Sequence, residues 1–313
     1  MVKYLVRRLL LAIPTLFGGI TLIFLAINIV PGDPAALMLG DYYTGDAYQA
    51  LVKKLGLDQP LPVRYLHYLG NVARGNLGQS FRSGRSVLGD IESQFPYTLT
   101  LALASLVIAI VFGVTIGIIS AVTRNRWPDQ IAMLFALSSI STPSFFLAAV
   151  LILIFSVHLG WLPALGAGNL HQPLTMLKFL ILPAIALGTR SGALIARLTR
   201  SAVIEVLSQD YVRTARAKGL RERRVLTEHA LRNAMLPVIT IIGLDLGSLL
   251  GGATIIEIVF NRPGLGKLLV DGVLNRDYPT VQGTMIFFMV VILVSNLLAD
   301  IGYALADPRI QYN

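Results

Sequence analysis

The sequence predicts an all-α polytopic membrane protein with six transmembrane helices, both termini in the cytoplasm and an extracytoplasmic helical segment between spans one and two. Three observations carry this. Of 313 residues, 55% are hydrophobic and only 14% are charged, where a soluble domain carries roughly 25% charge. Six apolar runs reach bilayer-spanning length. The basic residues concentrate in alternate connectors, as the positive-inside rule requires. The net charge of +9 therefore sorts by side of the membrane rather than forming a nucleic-acid patch. Zero cysteines exclude disulfides, thiol catalysis and cysteine metal sites.

In order, Lys3, Arg7 and Arg8 precede the first span, Leu9–Val30, which is too long for a signal-peptide core and lacks a cleavage signal after it. Residues 31–96 form the outer segment. It opens on P-G-D-P at Pro31–Pro34, a turn signal, and amphipathic helices are expected near Asp46–Leu55 and Val63–Ala73. The second places Val63, Leu66, Leu69 and Ala73 on one face. The six basic and six acidic residues of the whole outer segment leave it neutral and free to cross the membrane.

Residues 97–313 hold the other five spans. Thr98–Val122 carries no charge over 25 residues. A turn with Arg124 and Arg126 leads to Ile131–Val157, interrupted by S-S-I-S-T-P-S, where Pro143 should kink the helix and hydroxyls take up the freed backbone groups. The connector His158–Pro173 has no charged residue apart from its histidines. Leu174–Ala196 includes Lys178 and Arg190, which can snorkel. Asn233–Ile256 is broken only by Asp245, and Val281–Ala299 completes the six before a tail with Asp307 and Arg309. The Arg197–Arg232 connector has nine basic residues against four acidic, while Glu257–Thr280 has three of each. Six spans with both termini inside satisfy that bias.

Several patterns could carry chemistry. Gly243, Gly247 and Gly251 recur every four residues, with Gly252 beside them, as do Gly113 and Gly117. Such faces let helix backbones approach closely, for packing or for a sliding gate. Asp245 is a carboxylate deep in a span, costing at least about 2.5–3.5 kcal/mol unless something offsets it. With Ser141 it is a candidate for the pathway. Gly264-Leu265-Gly266-Lys267 fails as a phosphate loop, because position 261 is Asn and Leu268 follows the lysine. His67, His158, His171 and His229 show no metal-ligand spacing. No catalytic serine motif occurs, so the chain reads as a non-enzyme that binds no cofactor or metal.

The basic connector is more than a charge run. Ser208–Gly219, S-Q-D-Y-V-R-T-A-R-A-K-G, reads as a short polar helix. Ser208 is its candidate N-cap, Asp210 lies in the first turn, Arg216 and Lys218 in the last, and Gly219 closes it in the left-handed conformation. Thr214, Ala215 and Ala217 offer a low surface for a partner's groove. The alternative is a basic loop attracted to anionic lipid.

The stretch D-Y-V-R-T-A-R-A-K-G-L-R-E-R-R-V-L-x2-H-A-L-R-N-A-M-L-P resembles the signature of membrane subunits of bacterial ATP-binding-cassette (ABC) importers. In particular it is similar to the first of two permeases in peptide and nickel uptake systems. L-G-L-D-Q-P-L-P-V-R-Y (Leu55–Tyr65), G-N-L-G-Q-S-F (Gly75–Phe81), L-L-G-G-A (Leu249–Ala253), P-G-L-G (Pro263–Gly266) and D-Y-P (Asp277–Pro279) fit the same branch, as does P-G-D-P. One departure stands out. Arg213-Thr214-Ala215 replaces the wider signature's Glu-Ala-Ala, so only Ala215 and Gly219 carry over directly.

The resemblance implies a cytoplasmic-membrane permease whose helix sits in a cleft of a separate ATPase. Tyr211, Arg213, Thr214, Ala215, Arg216, Lys218 and Gly219 would form that contact, the cations pairing with acidic groups on the ATPase. It implies as partners a related second permease, two ATPases that bind ATP and magnesium, and an external substrate-binding protein, with membrane lipid around the spans and no nucleic acid. The expected cargo is a di- or oligopeptide, with a nickel complex or glutathione as alternatives. Two other classes remain open from the residues: an ion-coupled secondary transporter using Asp245, and a membrane assembly protein without transport.

Overall fold

The computed structural model describes residues 2–29, 34–39, 44–169 and 172–306. Most of the P-G-D-P turn, Asp41, His171 and the tail with Asp307 and Arg309 lie outside the described residues. The chain forms two compact units, one of Val6–Pro96 and Gly264–Val291, the other of Met1–Leu5, Tyr97–Pro263 and Ile292–Asn313. Both units thus join stretches distant in sequence, across the sequence-order division at residue 96.

Among the described residues, five helices are long and apolar enough to cross a membrane: α1 (Val2–Ile29), α5 (Val87–Val122), α8 (Pro173–Leu207), α11 (Leu231–Val259) and α13 (Tyr278–Ala306). A sixth span arises when α6 (Trp127–Ser141) and α7 (Ser144–Leu151), the latter continued by wider turns over Ile152–His158, are taken together. These two are bent by 107° at Thr142–Pro143. The expected kink at Pro143 is therefore a true break. Proline removes a backbone donor at the break, and the Ser138 carbonyl before it accepts both the Thr142 N–H at 2.9 Å and the Thr142 hydroxyl at 2.7 Å.

In the first unit, α2 (Pro34–Leu39), α3 (Gly45–Leu55) and α4 (Leu61–Ala73) precede the start of α5, and α12 (Leu265–Leu274) precedes α13. The inward face of α4 is not the expected one. Val63 and Leu66 are exposed, and Tyr65 and Tyr68 turn inward instead, each ring 5.2 Å from Phe24 of α1. A large ring with a polar tip gains more from that site than Val or Leu. The Tyr65 hydroxyl shares a 2.5 Å hydrogen bond with Thr21.

Two stretches far apart in sequence meet at Asp277. Its carboxylate accepts from the Ser80 hydroxyl at 2.5 Å, the Phe81 N–H at 3.0 Å and the Thr280 hydroxyl at 2.8 Å. Val87, Ile91 and Leu265 form the apolar centre beneath, packed by Leu77, Phe95, Leu268 and Phe287.

In the second unit, α8 is central and packs against α6, α7 and α11. It runs on to Leu207, beyond the expected end at Ala196. Glycine allows its closest contact with α5. A Cβ at Gly113 would stand 2.6 Å from the Gly192 carbonyl oxygen, and one at Gly117 equally near that of Ala196. Gly188 and Gly192 of α8 face Ser105 and Ala109 of α5 in return, giving a seam in which backbone meets backbone.

Candidate functional site

The polar helix is α9, Asp210–Ala217, eight residues long. Its start differs from expectation. The Ser208 hydroxyl donates back to the Glu205 carbonyl at 2.6 Å, so Ser208 finishes α8 rather than capping α9. Extended Gln209 (φ −72°, ψ 150°) precedes α9 without a side-chain cap. Because α8 continues past the expected end of its span at Ala196 to Leu207, Ser208 is spent on its last turn. The C-terminal expectation holds: Gly219 has φ +79°, the left-handed conformation that favours glycine.

One face of α9 is buried within its own chain. Val212 and Ala215 pack with Val225 against Val206, Leu207 and Leu220. Ala215 is thus an anchor, not part of an outward docking surface, because position 215 falls three residues from Val212 on the same face. Tyr211 is half exposed, and its hydroxyl accepts from Asn233 at the foot of α11 (2.9 Å) and donates weakly to the His229 carbonyl. Arg216 is held in a fork by Glu222, which opens the short α10 (Glu222–Arg224), at 2.8 and 3.3 Å. What faces outward is Asp210, Arg213, Thr214, Ala217 and Lys218, with Gly219 and Arg221 following.

These anchors connect α9 to the ends of two spans at once. Ala202 and Val203 of α8, Ala121 of α5 and Ala234 of α11 form one apolar cluster, packed by Leu207, Leu226, Leu231 and Met235. Beside it, Asp129 at the start of α6 is buried and receives the Arg200 guanidinium at 2.7 and 2.8 Å, the Asn125 N–H at 2.9 Å and the Ser120 hydroxyl. The turn between α5 and α6 is thereby pinned to α8. The ends of four spans, α5, α6, α8 and α11, thus meet in one packed region beside α9.

Within the spans, Gly243 and Gly247 face α13, where added carbons would lie 3.2 Å from Ala299 Cβ and from Asn296 Oδ1. Gly251 has nothing within 4 Å, and Gly252 approaches Leu187. Ser141 is exposed at the α6–α7 break. Asp245 lies beside Ser191 of α8, and its Oδ2 is buried without a hydrogen-bond partner among the described residues. Among the described residues no group of His, Asp and Glu side chains is placed to hold a metal ion.

Sequence reasoning missed the buried pair at the far end of α11. Glu257 and Arg262 are both fully buried. Thr98 donates to Glu257 at 2.6 Å, and Arg262 lies over the Tyr97 ring at 5.7 Å while reaching the Thr100 hydroxyl and the Ala167 carbonyl. Counted by charge alone, both belong to a solvated connector. No local pattern marks them as interior.

Apolar spans broken by glycine seams, an in-span carboxylate and a rigid polar helix keyed to the span ends together define a membrane transporter subunit. The chain belongs to the family of binding-protein-dependent transport system inner membrane components, whose model matches residues 113–312, with the corresponding N-terminal model matching residues 1–102. It is 47% identical over 312 residues to the glutathione transport system permease protein GsiC of Escherichia coli O6:H1, and 46% identical to that of strain K12, covering all of each chain. In fold it resembles the inward-facing MetNI methionine ABC transporter (TM-score 0.60, 16% identity, 70% of this chain and 97% of that one). A second likeness is to an amino acid ABC transporter crystallised with histidines (TM-score 0.53, 16% identity, 68% and 92%). The chain is therefore a multi-pass inner-membrane permease subunit of an ABC importer, non-catalytic itself and working with separate ATPases and a substrate-binding protein. The ion-coupled and assembly-protein readings give way to this one.

Proposed function

We propose that this subunit and a related second permease form the translocation pathway for short peptides, glutathione among them. Two ATPases that bind ATP and magnesium drive it from the cytoplasm, and a binding protein delivers cargo to the outer segment. The termini and the Arg197–Arg232 connector face the cytoplasm, in keeping with its nine basic residues. The observation that carries the mechanism is the anchoring of α9. Val212 and Ala215 fix it inward, while Arg213, Thr214, Ala217 and Lys218 stay open to an acidic-rimmed cleft. ATP-driven closure of the ATPases then moves α9 as a lever on α8 and α11, and the cavity alternates between its two openings.

The full-length 47% likeness to a glutathione permease supports the substrate class and ranks glutathione above a nickel complex. Reconstitution with the partner subunits tests it. ATP-dependent accumulation of glutathione or alanyl-alanine in proteoliposomes is the expected result. Accumulation of nickel complexes alone would overturn the substrate assignment, and uptake that persists without ATP would overturn the mechanism.

A further inference from the structure

Arg190 stands in α8 between two contacts that fix its depth. Gly188 faces Ser105 of α5, and Gly192 faces Ala109 and Gly113. Position 190 is therefore level with the middle of Thr98–Val122, the charge-free stretch of α5. Either end of that stretch is about 18 Å away at the rise of an α-helix. That is farther than an arginine side chain spans, so snorkelling does not bring the guanidinium to water. Yet Arg190 is exposed, and none of the ion pairs of the described residues includes it.

The face that carries Arg190 changes character at this residue. Pro183, Ala186 and Leu187 lie along it at helical spacing and are buried, Leu187 beneath Gly252 of α11. From Arg190 on, the same face is open. Leu194, Arg197 and Ser201 follow at steps of three and four residues, all exposed. This face lies opposite the glycine seam, because Arg190 is two residues, or a little over half a turn, from both Gly188 and Gly192. The strip is thus covered on one side of Arg190 and open toward α9 on the other. A guanidinium exposed at mid-span excludes lipid as its neighbour, since a charge at that depth faces a water-filled cavity or a partner charge. With α9 in the cytoplasm, a face blocked outward and open inward is the wall of an inward-opening pathway.

We infer that Arg190 is the anion subsite of this pathway, pairing with the C-terminal carboxylate of the cargo on its way to the cytoplasm. This rests on the peptide reading above, since linear peptides and glutathione share a terminal carboxylate. The guanidinium fork matches that group through two parallel N–H···O bonds. Among the described residues no acid holds Arg190 already, so the cargo displaces no resident partner. Such a site binds and then releases, as passage requires. Arg197, two turns further along the open strip, carries the same charge toward the α9 end.

The test uses the complete complex in proteoliposomes, with partner subunits free of cysteine, and follows radiolabelled glutathione and alanyl-alanine uptake alongside ATP hydrolysis. Arg190→Cys should lower the number of molecules moved per ATP by about tenfold, the loss of a charge-assisted pair. Aminoethyl methanethiosulfonate, which adds an ammonium to the new thiol, should restore most of the ratio. The neutral methyl methanethiosulfonate should leave it low. An unchanged ratio in Arg190→Cys overturns the inference, and so does a parallel fall in uptake and hydrolysis. Restoration by neither reagent, the mark of a position sealed against the second permease or facing lipid, overturns it too. Restoration by both alike shows a need for bulk and not for charge, with the same consequence. If Arg190→Cys fails to assemble, Leu194→Glu decides: an acid one turn along the exposed face occupies Arg190 and should lower the ratio, and an unchanged ratio overturns the subsite. Failure of the wild-type complex to move either probe removes the substrate reading and this inference together. Transport of both probes by wild type and Arg190→Cys alike removes only the subsite.

Discussion

Arg200→Ala should destabilise the protein by about 3–5 kcal/mol, because it leaves Asp129 buried without its counter-charge. Among the described residues, Arg200, through its two guanidinium bonds at 2.7 and 2.8 Å, is the one charged partner of that carboxylate, whose remaining bonds come from Ser120 and the Asn125 N–H. Thermal unfolding of the purified subunit should show a midpoint lowered by about 10 °C. Arg200→Lys should recover only part of it, since a lysine supplies one point charge in place of a fork. Replacing both partners, as Asp129→Leu with Arg200→Met, should be far milder than either single removal. An unchanged midpoint in Arg200→Ala would mean that the turn between α5 and α6 is not held by this pair.

The second large effect is steric. Gly117→Leu should yield no folded protein. Even the first carbon of the new side chain would stand 2.6 Å from both the Ala196 carbonyl oxygen and Thr199 Cβ. Backbone cannot step aside as a flexible side chain does, so the seam between α5 and α8 must open along its length. Gly117→Ala should cost about 1–3 kcal/mol, the usual range for overpacking. Gly251→Ala is the control, because nothing lies within 4 Å of the added carbon, and it should leave thermal stability unchanged. Size-exclusion profiles and unfolding midpoints distinguish these outcomes. Folded, stable Gly117→Leu would contradict the close backbone approach.

The contrast between these glycines shows what was legible in the sequence. A four-residue glycine repeat identifies a smooth face, and both repeats read alike. Which one is pressed against backbone depends on the neighbour: a Cβ at Gly113 or Gly117 would stand 2.6 Å from a carbonyl oxygen, whereas at Gly243 the nearest backbone atom, Ala299 Cα, is 3.5 Å away. Features set by a single residue's own stereochemistry were readable: the left-handed Gly219, the break at Pro143, the long apolar runs. Features set by a distant partner were not. Asp129 finds Arg200 across 71 positions, and Glu257 finds Thr98 across 159. Ser208 was misread because its role depends on where the preceding helix ends, and α8 overruns its membrane span. Ala215 was misread because small size marks a close contact without saying with whom; here the contact is Val212 and Val225 of the same chain. The inward face of α4 followed its tyrosines rather than its aliphatic residues, since hydropathy ranks Tyr low while its ring packs well against Phe24.

The most direct measurement asks whether α9 is seated in an ATPase. Thr214 is exposed one position before the buried Ala215, and the chain has no native cysteine, so Thr214→Cys introduces one outward thiol on the exposed face of α9. The complex is assembled with ATPases carrying a cysteine on the facing cleft, and crosslinking is followed with and without nucleotide. A crosslink whose yield changes with ATP, together with labelling of the thiol only from the cytoplasmic side in the absence of ATPase, is the predicted result. A thiol that is labelled equally whether or not the ATPases are bound would contradict the lever, leaving α9 as a polar helix with no part in coupling.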